Sequence, residues 1–150
     1  PAVLESKIGE FVTDHGQLDM VCVDYIQLMT GGGRSNSSEE NRALEIGTIT
    51  RSMKQFSRQF GVPILAGSQL NRQVDRRKNH VPILADLRDS GSLEADADLI
   101  IFPVFQGYYL SESIREGNWD WHIAKQRNGA LGTVKTYANF ALSQYTERTA

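Results

Sequence analysis

Two short apolar runs, each stopping on a polar residue and joined by one long amphipathic stretch, constrain this chain more than any other feature. Met20 to Val23 ends in Asp24, and Val62 to Ala66 ends in Gly67-Ser68-Gln69. Between them Ile46, Ile49, Met53, Phe56 and Phe60 step by three and four, the period of one helical face. Ser37 and Glu40 have capping-box spacing ahead of that helix, and Gly61 stands where a helix commonly ends. A strand, a crossover helix and a second strand without alternation predict parallel pairing in a sheet covered by helices on both faces. In such a sheet ligands bind beyond the carboxyl ends of the strands, where Asp24 and Gln69 lie.

The remaining pattern extends this α/β reading. Val3, Leu4, Ile8, Phe11 and Val12 share a helical face that Gly16 can stop, and a Gly/Ser-rich loop spans Gly31 to Ser38. A short helical stretch is expected near Ile83 to Leu87. Leu99 to Val104 reads as a third apolar strand, expected parallel to the first two. Trp119, Trp121 and Ile123, then Val134, Thr136 and Ala138, alternate with polar residues around Asn128-Gly129, the pattern of an antiparallel hairpin at the sheet's edge. The 150 residues suffice for one domain. Cys22, the only cysteine, excludes an internal disulfide and fits a cytoplasmic setting. The longest apolar run is too short for a membrane span and no secretory signal is visible, so no membrane partner is expected.

Chemistry concentrates in four places. Asp24 at a strand end is a hard oxygen ligand suited to Mg²⁺ beside nucleotide phosphates, although an Asp there also simply starts turns. Gln69 ends the next strand. A phosphate cradle should accompany them, yet no G-x-x-x-x-G-K-[ST] occurs. Either the chain is not a nucleotide enzyme or the cradle lies upstream, and the opening at Pro1, without an initiator Met, favours the second. Lys125 and Arg127, two apart at the hairpin tip, suit a phosphate on a neighbouring molecule or, more plainly, solubilise a surface turn. Leu87 to Glu94, with Arg88, Asp89, Gly91 and two serines, offers charge and close backbone approach to a phosphate chain, or an ordinary helix start. His15, His80 and His122 have no ligand spacing, and Trp119 and Trp121 read as sheet packing. The net charge of −2 announces no nucleic-acid partner, but Arg72, Arg76, Arg77 and Lys78 crowd one stretch.

Taken in order, four motifs resemble those of DnaB-type replicative DNA helicases. They are Val23-Asp24-Tyr25-Ile26-Gln27-Leu28-Met29, Gly67-Ser68-Gln69-Leu70-Asn71-Arg72, the run from Asp86 to Asp98, and Ala124-Lys125-Gln126-Arg127-Asn128-Gly129. The resemblance implies the C-terminal portion, over residues 1–150, of a RecA-like ATPase domain: a mostly parallel sheet flanked by helices, with antiparallel strands at its C-terminal edge. It implies ATP and Mg²⁺ as cofactors, with Asp24 holding the metal in a Walker B strand and Gln69 sensing the γ-phosphate. Lys125 and Arg127 would reach the neighbouring subunit's ATP as an arginine finger. Arg88, Asp89 and Gly91 would hold single-stranded DNA in the channel of a homo-hexamer. Primase and a helicase loader are implied partners. The phosphate loop and catalytic glutamate would lie N-terminal to this segment. Gly67 replaces a larger apolar residue of many relatives, and the Gly31–Ser38 loop is longer. Two other readings stay open: another RecA-like ATPase, of recombinase or clock type, and a non-catalytic module that binds DNA or docks on a ring.

Overall fold

The computed structural model describes residues 1–30, 39–87, 91–109 and 116–148. They form two compact units, one of residues 1–71 and 85–97, the other of 72–84 and the segment after 97.

In the first unit, α1 (Ala2–His15) ends at Gly16, whose φ of 80° suits glycine and whose N–H caps Val12 O. Ile8 is its buried residue. β1 (Val21–Val23) and β2 (Ile64–Ala66) are parallel, in the register Val21↔Ile64, Cys22↔Leu65, Val23↔Ala66. The crossover between them is α2 (Glu39–Phe60), closed by Gly61 at φ 65°. Its apolar stripe is the core: Ile46, Ile49, Met53 and Phe56 are buried, the first two completely. Each such side chain stabilises the fold by about 1.5–3 kcal/mol. α2 packs on α3 (Gly91–Asp96) and also meets α1, β2 and the 3₁₀ turn Ile26–Leu28. Close approach of α3 depends on Gly47, where a Cβ would stand 2.5 Å from Ser92 Oγ. One turn on, Thr50 Oγ1 donates to Asp96 Oδ2 at 2.6 Å.

The second unit begins with a 3₁₀ turn, Arg72–Arg76, and is built on a four-stranded sheet in the order β3-β4-β5-β6. The strands are β3 (Leu99–Phe105), β4 (Glu116–Gln126), β5 (Gly132–Asn139) and β6 (Gln144–Glu147), each antiparallel to its neighbour. Ile100, Phe102 and Val104 are buried while Leu99 and Ile101 are exposed, the alternation of a one-sided sheet. An aromatic cluster joins Phe105, Trp119, Trp121, Phe140 and Tyr145, with centroids 5.0–5.8 Å apart. Trp121 Nε1 also donates to Thr136 Oγ1 at 3.1 Å, tying β4 to β5.

The class is that expected, a parallel sheet with helices plus antiparallel strands, but particulars differ. Among the described residues β3 is not paired in parallel with β1 or β2: its partner is β4, and that pairing is antiparallel. Pro103 supplies a reason, since a residue without an N–H suits an edge strand, and β3 is an edge of this sheet. β1 and β2 are not buried on both faces either, for Cys22 is exposed and Leu65 is 61% exposed. The stretch near Ile83 to Leu87 is a 3₁₀ turn, Leu84–Asp86. Ser37 of the expected capping box and the Gly31–Ser38 loop lie outside the described residues.

Candidate functional site

Asp24 follows the last ladder residue of β1 and is exposed, as a group that meets a solvated ligand must be. Across the pair, Gly67 N donates to Val23 O at 2.9 Å and Ile26 N to Gly67 O at 3.0 Å. These bonds bring Asp24 Oδ1 within 3.8 Å of where a Gly67 side chain would begin. That Cβ would also lie 3.4 Å from Tyr25 Cβ, ordinary contact, so the position admits a side chain. Gln69 lies two residues further on and is exposed too. Asp24 and Gln69 thus end adjacent parallel strands at the same edge, as the crossover predicts. The exposed carboxylate of Asp24 is a hard oxygen donor that would suit Mg²⁺ beside nucleotide phosphates.

Gln27 and Arg42 bind this edge together, in roles the sequence reading did not assign. Gln27 Nε2 donates to Ser68 Oγ at 3.0 Å, and Gln27 Oε1 accepts the Gln69 N–H at 3.1 Å. Arg42, on the first turns of α2, donates to Gln27 O and to Met29 O and pairs with Glu45. The one signal for Gln27 was a polar residue between Ile26 and Leu28 in an otherwise apolar stretch. Arg42 carried none, because its partners are backbone carbonyls.

From Gln69 the chain runs directly toward the loop expected to meet a phosphate chain. Leu70 forms an antiparallel bridge with Leu87, and Asn71 N donates to Asp86 O at 2.7 Å. Leu87 and Asp86 are buried, so this link is firm. Gly91 is exposed at the start of α3. Arg88 and Asp89 lie outside the described residues.

In the other unit, Lys125 is on β4 opposite Ile100, just after a register shift between Ile100 and Ile101. β4 ends at Gln126, so Arg127 is the first residue of the bend, not a strand residue alternating with Lys125. The connection is also longer than a two-residue Asn128-Gly129 turn, because β4 follows β3 to Gln126 while its last partner on β5 is Ile123↔Gly132. Arg127 is held to its own chain: its N–H donates to Asp98 O at 2.9 Å, and Nε lies 3.2 Å from Asp98 Oδ1. The two side chains are 46% and 59% exposed, so the ion pair holds weakly, by about 0–1 kcal/mol. A cavity of ≈ 240 Å³ opens in this unit beside His80, Phe105, Tyr108 and Trp119; no candidate residue lines it.

Residues 2–147 match the profile of the DnaB-like helicase C terminal domain. Similar proteins include the replicative DNA helicase DnaB of Geobacillus stearothermophilus, 44% identical over 118 residues, which are 79% of this chain and 25% of that protein. That of Buchnera aphidicola is 40% identical over 97% of this chain and 31% of its own length. Among solved structures, an ATPase domain superposes with a TM-score of 0.85 at 35% identity, covering 97% of this chain and 50% of that one. A DnaB-like replicative helicase, solved for its interactions with primase, gives 0.77 at 38% identity, over 89% of this chain and 31% of that one. The chain thus spans between a quarter and a third of the two curated relatives.

Proposed function

The chain belongs to the DnaB-like helicase C-terminal domain family, and from that premise we propose that it is the C-terminal portion of a RecA-like ATPase domain in a hexameric replicative helicase. The parent protein couples ATP hydrolysis to movement along single-stranded DNA, and primase and a loader meet it through parts of the whole protein. The observation that supports the reading is the shared edge of β1 and β2: Asp24 follows one of these parallel strands, and Gln69 comes after the other with its N–H bonded to Gln27 Oε1. Bound there, Mg²⁺-ATP supplies the phosphoryl group and the charge that hydrolysis must stabilise. Asp24 holds the metal shell through its carboxylate, and Gln69 meets the terminal phosphate through its carboxamide.

Arg127, with Lys125, serves the ATP of the adjacent subunit. A head-to-tail interface that closes into a ring lets such a group act in trans. The ion pair to Asp98 is compatible with this role, since both side chains are well exposed and the pair is screened by solvent. Arg88, Asp89 and Gly91 hold the DNA backbone, whose phosphates position the strand without reading sequence. The bridge of Leu70 to Leu87 supports a direct route between these two chemistries: Gln69 precedes one bridge residue and Arg88 follows the other.

Asp24→Ala in the full-length protein tests the reading. We expect DNA-stimulated ATP hydrolysis to be abolished, with circular dichroism and ring assembly unchanged, because the side chain is exposed and stands outside the core. Hydrolysis at the normal rate would overturn the assignment. The chain alone, having no G-x-x-x-x-G-K-[ST] loop, should hydrolyse no ATP.

A further inference from the structure

The backbone ladder between β1 and β2 stops at Val23↔Ala66, and Gly67 makes the last main-chain links, to Val23 O and from Ile26 N. Ser68 and Gln69 extend past that point. What reaches them from the β1 side is the carboxamide of Gln27, donating to Ser68 Oγ and accepting the N–H of Gln69. The two bonds fix the amide's orientation, since only its oxygen can accept a backbone N–H. They also fix the residue type. Methionine has the length but makes neither bond, and glutamate would add a negative charge at the edge where the proposed reading has phosphates bind. Gln27 is itself held: its side chain is half-buried, and Arg42 donates to its carbonyl oxygen from α2.

We propose that Gln27 is a positioning residue for hydrolysis, its carboxamide replacing the missing ladder beyond Gly67 so that Gln69 is held in register with Asp24. This rests on the reading of Asp24 and Gln69 given above. A γ-phosphate sensor must be placed within a few tenths of an ångström to about 0.5 Å of its working geometry, which a free strand end does not supply.

The test uses the full-length protein with single-stranded DNA and compares Gln27→Met, Gln69→Ala and the double variant. Gln27→Met should lower kcat about tenfold, the upper range for one lost hydrogen bond, with KM for ATP little changed. The double variant should be no slower than Gln69→Ala alone, because Gln27 acts through Gln69. A normal kcat for Gln27→Met, or losses that multiply, would overturn the proposal. Amide hydrogen exchange keeps it distinct from the sensor reading. In Gln27→Met the Gln69 N–H should lose protection while the Gly67 N–H, bonded to Val23 O, keeps it; unchanged exchange at Gln69 overturns the proposal whatever the rates. If Gln69→Ala alone hydrolyses normally while exchange responds as expected, the sensor reading falls, and with it the catalytic importance of the link. Should Gln27→Met fail to fold, Ser68→Ala removes one partner only and should cost kcat about threefold, within the range of a weaker hydrogen bond; no loss there overturns the proposal.

Discussion

The two units hold their candidate residues by different means. In the first, β1 and β2 pair over three residues only, and the candidate residues stand just beyond the ladder, where Gln27 bonds Ser68 and Gln69 and Arg42 bonds Gln27. In the second, β4 is paired along most of its length on both sides, braced by five aromatic rings, and Lys125 and Arg127 come at the far end of that ladder. Where the short ladder stops, polar stays hold what the reading proposed above takes as a sensor. A long ladder braced by aromatic rings makes a stiff support, suited to the trans role proposed for Arg127. Position should therefore be separable from stability in the first unit and bound to it in the second.

The largest expected effect probes the support at its tip. In the full-length ring Arg127→Lys should slow ATP hydrolysis on the order of 10³-fold, since lysine lacks the planar fork that arginine offers a phosphate. Nucleotide affinity should fall far less. Mixing Arg127→Ala with Asp24→Ala subunits should restore single-turnover hydrolysis at interfaces where an intact Asp24 site meets an intact Arg127. No recovery in rings shown to be mixed would leave Arg127 a structural residue bonded to Asp98. The next effect lies in the sheet's brace. Trp119→Ala empties the centre of the aromatic cluster and should destabilise the fold by about 3 kcal/mol, the low end for a lost large aromatic, because the residue is half-buried. Chemical unfolding would measure it, and an unchanged midpoint would show that the strand ladder alone carries the unit. Gln27→Met, by contrast, should move rate and hardly move that midpoint.

The smallest effect belongs to the exposed surface of α1. Glu10 is bonded by Lys7 and Ser6, which lower its pKa, and Lys7 in turn is raised by Glu10. The contribution of Glu10 is present above its unfolded pKa and lost as pH falls through its folded one; that of Lys7 disappears as pH rises through its own. Both side chains are largely exposed, so Glu10→Gln should leave the melting temperature nearly unchanged at neutral pH. A large shift would mean that α1 is held by charge more than by Ile8.

Much of this was legible in the residues themselves. The period of Ile46, Ile49, Met53 and Phe56 determined α2 and its buried stripe, because helix geometry alone puts those positions on one face. Two apolar runs around that helix determined the parallel pair, and the pair placed Asp24 and Gln69 at one edge, since a crossover of that length returns the chain in the same direction. Pattern also located the hairpin strands and the four ordered motifs that led to the family. It did not determine which sheet β3 would join, for an apolar run carries no record of its hydrogen-bonding partner; the ladder with β4 decided that. Nor could it show that β4 outruns β5, which lengthens the turn and puts Arg127 in the bend beside Asp98. The bonds of Gln27 to Ser68 and Gln69 cross more than forty residues of chain. Spacing in sequence cannot specify contacts at that separation, because they exist only once α2 has brought the two strands side by side.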